Sequence, residues 1–213
     1  MLAFKNVTRL YTSNKGLRNC TWEVEENKVI GILGNNGCGK TTTFKLLLQL
    51  DNLNGGEIVY KDRPINKINS NCFGYVPEEK TLYQDCIVND ILNLFGILKG
   101  IDKKEINNRI DEWLTYFQII DFKYRKVYEL SKGNQQILQI IMAMFHNPEI
   151  LILDEPFNGL DRDKLQQVIK MIRNREGITL ISFHQYELVN CVCDKVIYLK
   201  DGCVESIEEV IHD

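Results

Sequence analysis

At 213 residues the chain suits one large domain, or one domain with a lobe, and needs no disulfide or metal to hold its core. Its 44% hydrophobic and 26% charged residues exclude collagen-like, disordered and disulfide-stapled chains. With 26 Lys+Arg against 29 Asp+Glu the formal charge is −3, which argues against nucleic acid as a partner.

Residues 2–8 and 17–24 read as short strands. Residues 28–33 are a brief apolar run bounded by turn residues, which suits a buried strand. A glycine-rich run follows, and then Phe44, Leu47 and Leu48 fall on one face of a helix. Residues 54–60 return to strand, punctuated by Gly55 and Gly56. From about residue 86 to 120 the period is helical. Ile91, Leu92, Phe95 and Leu98 form one stripe; Ile106, Ile110, Trp113, Leu114 and Phe117 form a second. Two helices with no strand between them predict a lobe set apart from the sheet. Ile137, Ile140, Ile141, Met144 and Phe145 make a third stripe, stopped by Asn147 and Pro148. Residues 150–153 are a buried strand. Leu165, Val168, Ile169 and Ile172 mark a helix, and residues 178–183 a β-branched strand. Strands at 195–199 and 203–206 are joined by a hairpin at Asp201-Gly202. This alternation predicts an α/β fold with a mainly parallel sheet.

No apolar run reaches the ~18 residues of a membrane span. The first six residues lack the charged and apolar regions of a secretory signal. Seven irregularly spaced cysteines, none in a C-x-x-C, suit reduced thiols in the cytosol.

Gly34-Asn35-Asn36-Gly37-Cys38-Gly39-Lys40-Thr41 fits G-x-x-x-x-G-K-[ST] between a predicted strand and a predicted helix. Glycines let successive backbone N–H groups turn inward around phosphates, and the helix N-terminus favours their charge. Lys40 suits the β- and γ-phosphates and the Thr41 hydroxyl suits Mg²⁺. The buried strand at 150–153 ends in Asp154 and Glu155, which is costly unless the acids are paired or bind metal. Asp154 suits the Mg²⁺ shell, and Glu155 suits a base that polarises water. Cys38, a thiol at a helix N-terminus, is expected to be reactive, with alkylation blocking nucleotide binding and bound nucleotide protecting it.

Leu130-Ser131-Lys132-Gly133-Asn134-Gln135-Gln136 resembles the signature sequence of ATP-binding cassette (ABC) ATPases. The phosphate loop, this signature, the strand ending Asp154-Glu155, a D-loop at Asn158-Gly159-Leu160-Asp161 and a lone His184 stand in that family's order. The resemblance covers the whole chain. It implies one ABC-type P-loop domain over 1–213, an α/β fold with an antiparallel β lobe, a core of 1–78 and 132–213, and a helical lobe of 79–131.

The resemblance also assigns roles. Tyr11 resembles the aromatic that stacks on adenine. Residues Gly34, Asn35, Asn36, Gly37, Cys38, Gly39, Lys40, Thr41 and Thr42 would cradle the nucleotide's phosphates. Thr41, Asp154 and Glu78 would hold Mg²⁺. Glu78 stands where the family usually has glutamine. Glu155, Glu78 and His184 would serve hydrolysis, with His184 touching the γ-phosphate. Ser131, Gly133, Asn134 and Asp161 would meet the nucleotide of a second subunit in a head-to-tail dimer. Lys132 departs from the usual glycine. What is implied is an ATP-hydrolysing motor, with ATP and Mg²⁺ as ligands, on the inner face of the cell membrane. It would serve separate transmembrane permease subunits as a homodimer or paired with a related ATPase. Pro77-Glu78-Glu79 and the signature look like those of small bacterial exporters. The alternative is a soluble, non-transport ABC ATPase of an assembly system.

Overall fold

The computed structural model describes residues 1–12, 15–79, 81–183 and 186–211. It holds ten strands: β1 (Leu2–Leu10), β2 (Gly16–Val24), β3 (Val29–Leu33), β4 (Gly55–Tyr60), β5 (Arg63–Pro64), β6 (Phe73–Val76), β7 (Ile150–Asp154), β8 (Ile178–Ser182), β9 (Lys195–Lys200) and β10 (Cys203–Glu209). Among the described residues six α-helices join them: α1 (Lys40–Leu47), α2 (Val88–Leu98), α3 (Lys103–Tyr116), α4 (Lys132–Met144), α5 (Arg162–Asn174) and the short α6 (Val189–Val192).

Two sheets form. An antiparallel one runs β2-β1-β4-β5, and a six-stranded one runs β10-β9-β3-β8-β7-β6. In the second, β9, β3, β8, β7 and β6 are parallel and only β10 is antiparallel. Strands β3, β7 and β8 are buried along their whole length, as central parallel strands covered on both faces must be. Alternate side chains point to opposite faces. Ile30, Ile32, Ile150, Ile152, Ile178 and Leu180 join Phe44, Phe4 and Trp22 in a core under the antiparallel sheet and α1. Leu33, Leu151, Leu153 and Ile181 join a second core with the helices.

The helices α2 and α3, expected apart from the sheet, share that second core. Ile91, Ile106 and Ile110 belong to the same cluster as Ile137 of α4, Val168 of α5 and Leu153 of β7. Strand β6 was not expected as a strand. It is only four residues and carries Gly74, which weakens the pattern of an apolar run. The glycine lets α4 approach: a Cβ at Gly74 would lie 2.1 Å from the Ala143 carbonyl oxygen. The hairpin at Asp201-Gly202 forms with φ of 50° and 82°, the left-handed pair that a tight hairpin turn demands. Strand β10 runs on to Glu209, past its expected end at 206.

Parallel strands end on one edge of a sheet. The C-terminal ends of β3, β8, β7 and β6 therefore lie side by side, where ligands of open α/β sheets bind.

Candidate functional site

From the end of β3, residues 34–39 curl back before α1 begins. Gly34, Gly37 and Gly39 have φ of 142°, 80° and 117°, which side chains rarely tolerate. Space forbids one at two of them as well. A Cβ at Gly34 would lie 2.1 Å from the Leu199 carbonyl oxygen, and one at Gly39 would lie 2.5 Å from Leu17 Cδ2. The loop is tied to the β9–β10 hairpin by the Gly202 N–H, which donates to the Cys38 carbonyl at 3.1 Å. Lys40 is 8% exposed, and its ammonium donates to the carbonyls of Gly34 (2.7 Å) and Asn35 (3.4 Å). An ammonium satisfied by loop carbonyls sits inside the loop it must serve.

At the end of β7, Asp154 is 3% and Glu155 8% exposed. Their anchor is Ser182, the last residue of β8 and the register partner of Asp154. The Ser182 hydroxyl is fully buried, donates to Asp154 Oδ1 at 2.5 Å and accepts the Glu155 N–H at 2.9 Å. Glu155 itself has a left-handed φ of 52°, an uncommon state for a residue with a side chain. Asn158 Nδ2 donates to Glu155 Oε2 at 2.9 Å. Burial pushes the Tyr75 phenol up to about 12, and the nearby carboxylates of Asp154 and Glu78 add to the push. Negative charge is thus concentrated where β6 and β7 end.

One cleft of about 510 Å³ collects most of the expected residues: Tyr11, Asn36, Gly37, Gly39, Lys40, Thr41, Thr42, Glu78, Asp154 and Glu155. Lys15 and Gly16 also line it. Gly34, Asn35 and Cys38 form the loop behind it, with the Cys38 N–H donating to the Asn35 carbonyl at 3.1 Å. The expectation of a reactive Cys38 is corrected. Its side chain is 4% exposed and packs in the core with Leu17, Phe44 and Leu199, so it is no accessible nucleophile.

Ser131, Gly133, Asn134 and Asp161 are not among the residues lining this cleft. Ser131 caps α4, its hydroxyl accepting the Asn134 N–H at 3.2 Å. Asn134 is buried, and its Oδ1 has no hydrogen-bond partner among the described residues. Asp161 caps α5 through the Lys164 N–H at 2.9 Å, and that bond holds its carboxyl below the usual range. Gly133 touches the D-loop: a Cβ there would lie 2.9 Å from the Gly159 carbonyl oxygen. His184 lies outside the described residues.

The sequence reading missed Ser182, Lys15 and the hold of Asn158 on Glu155. A lone hydroxyl ending the apolar run of β8 was the available signal for the first. The cleft can take a polyanion against the Lys40 side chain and the glycine loop at the start of α1. Beside that anion it places a carboxylate whose orientation is fixed by hydrogen bonds.

Comparisons with known proteins agree with this chemistry. Residues 17–158 match the family model described as ABC transporter. The chain is 40% identical over 205 residues to YhaQ, an uncharacterized ABC transporter ATP-binding protein of Bacillus subtilis, covering 95% of this chain and 69% of that one. It is 42% identical over 201 residues to MJ1023, an uncharacterized ABC transporter ATP-binding protein of Methanocaldococcus jannaschii, covering 93% and 73%. Among solved structures, it superimposes with a TM-score of 0.86 and 25% identity, over 100% of each chain, on the dimeric ATP-binding cassette MJ0796 in a post-hydrolysis state bound to ADP and Pi. No helix among the described residues is long and apolar enough to cross a membrane.

Proposed function

The chain belongs to the ABC transporter family as an ATP-binding, ATP-hydrolysing subunit, and from that premise we propose that it is the motor of an exporter. In this reading it works as an ATP-sandwich dimer, with a second copy or a related cassette, on separate membrane-spanning permease subunits. It sits peripherally on the cytoplasmic face of the membrane. The observation that carries the dimer is the incomplete cleft: Ser131, Gly133 and Asp161 do not line it, although they stand exposed or half-exposed at helix starts elsewhere. Pro77-Glu78-Glu79 and the signature residues support export.

Tyr11 stacks on adenine. Lys40 exchanges its carbonyl partners for the β- and γ-phosphates, and the loop N–H groups hold the remaining oxygens. Thr41, Asp154 and Glu78 offer oxygen donors, the type a hard divalent cation takes, and would hold Mg²⁺. Bound there, Mg²⁺ would neutralise charge on the phosphate oxygens. Glu155, kept in orientation by Asn158, accepts a proton from the attacking water. Ser131 and Gly133 of the second cassette meet the γ-phosphate at the N-terminus of α4, and His184 is assigned to the same phosphate by its place in the motif order. With that phosphate gone the two cassettes lose their shared ligand and part. The lobe of residues 79–131 passes the movement to the permease.

Glu155→Gln tests the core of this. Turnover should fall about 10²–10⁴-fold, the range for loss of a general base. Light scattering should show a dimer with ATP and none with ADP. Wild-type turnover, or no ATP-dependent dimer, would reject the assignment.

A further inference from the structure

The ring of Tyr11 is held by a clamp that reaches the far end of the phosphate-loop helix. The Tyr11 hydroxyl donates to Asp51 Oδ2 at 2.6 Å. Arg9 Nε donates to the same oxygen at 3.0 Å, and Arg9 Nη2 lies 2.6 Å from Asp51 Oδ1. The Arg9 guanidinium also lies 4.8 Å from the centre of the Tyr11 ring, so it covers one face of it. Neither charge floats in solvent, with the Arg9 and Asp51 side chains 24% and 13% exposed.

The backbone is laced across the same seam. Asn54 Oδ1 accepts the Leu10 N–H at 2.7 Å, and the Asn54 N–H donates to the Thr8 carbonyl at 2.8 Å. Leu50, just before Asp51, is bonded back to the last turn of α1 through the Lys45 carbonyl at 2.9 Å. Burial alone would raise the Asp51 carboxyl, but hydrogen bonds from Tyr11, the Asn52 N–H and Arg9, with the Arg9 charge, bring it below its ordinary range. It stays a carboxylate acceptor at neutral pH.

A tyrosine on a loop would ordinarily be ordered by its ligand at the ligand's expense. Fixing one side chain on binding costs affinity. Here the hydroxyl is anchored, one face is covered, and the ring lines the cleft. We propose that Arg9 and Asp51 are positioning residues that preorganise Tyr11 as the base platform and fix its place relative to α1, which carries the phosphate loop. The inference rests on the reading of Tyr11 as the adenine platform. It adds two residues that lie outside the cleft lining and act on the nucleotide only through Tyr11.

The test compares a ligand with a base and one without: ATP and inorganic tripolyphosphate, both with Mg²⁺, titrated by calorimetry. Asp51→Asn should weaken ATP about three- to ten-fold and leave tripolyphosphate unchanged. Arg9→Lys, which keeps the charge but loses the fork and the stacking, should do the same. In a Tyr11→Ala background Asp51→Asn should have no further effect on ATP. Equal weakening of both ligands, or of neither, in both the Arg9 and Asp51 variants would overturn the proposal and leave the clamp a tie within the fold. Tyr11→Ala with unchanged ATP affinity would overturn the platform reading itself, and the clamp's purpose with it.

Discussion

Ser182→Ala is the sharpest single perturbation of the site, because one hydroxyl serves both carboxylate residues. Its donation to Asp154 Oδ1 at 2.5 Å is a buried side-chain hydrogen bond, typically worth about 0.5–1.5 kcal/mol. Its acceptance of the Glu155 N–H at 2.9 Å satisfies a backbone donor, and leaving a buried donor unpaired costs about 1–3 kcal/mol. Ser182 is fully buried, so little water is at hand to replace either bond. Taken together, Ser182→Ala should lose about 1.5–4.5 kcal/mol, a sizeable part of the 5–15 kcal/mol by which a domain is stable. Urea titration of the purified protein reads that loss directly. The same change loosens Asp154 and the left-handed turn at Glu155, so kcat should fall more steeply than ATP affinity. Thr179→Val is the control. It lies on the same strand, is also fully buried, and loses only an acceptor for Arg175 Nη1 at 2.8 Å, away from the carboxylates. It should be less stable with kcat intact. If Ser182→Ala matched Thr179→Val in both stability and kcat, the role given to the serine would be wrong.

Gly39→Ala combines a forbidden φ of 117° with a Cβ 2.5 Å from Leu17 Cδ2, so it should cost at least about 2 kcal/mol and weaken ATP binding more than tenfold by calorimetry. Native iodoacetamide labelling mapped by mass spectrometry should modify exposed Cys86, Cys191 and Cys203 well before Cys38, whose labelling should await unfolding. His146 has its Nε2 3.1 Å from the Phe73 carbonyl and a buried Nδ1 with no hydrogen-bond partner among the described residues; burial, reinforced by the Lys99 charge, depresses its pKa from 6.5 to about 4. The unfolded chain takes up a proton between those values and the native one does not, so this group's share of stability shrinks as pH falls through that window. Relative to His146→Gln, the wild type should lose about 2 kcal/mol between pH 7 and 4 in urea titrations, a figure reduced for partial solvent screening; a constant difference would refute it.

How much of this was legible in the sequence depended on whether the information was local. Strands β3, β7 and β8 could be read because each is a short run of apolar residues with both faces buried. The phosphate loop could be read because its glycines are demanded by backbone angles that spacing alone encodes. Cys38 could not: motif spacing fixes the path of the loop but not which way an unspecified side chain turns, and Leu17 and Leu199, which receive it, come from distant strands. Strand β6 was hidden by Gly74, a residue chosen for the helix crossing over it. The clamp on Tyr11 joins residues 40 positions apart, and Ser182 meets Asp154 across 28. Pairings at such separation leave no periodic trace.

The strand order has a consequence for synthesis. Strand β3, which launches the phosphate loop, is flanked by β8 and β9 and by no strand that precedes it in the chain. The loop's outer support also arrives late, through Leu199 and Gly202. A ribosome that has made everything up to residue 177 has made the whole phosphate-loop motif and neither of the strands that flank β3. The ability to hold ATP therefore awaits β8 and β9 and reports that the central sheet has closed around β3.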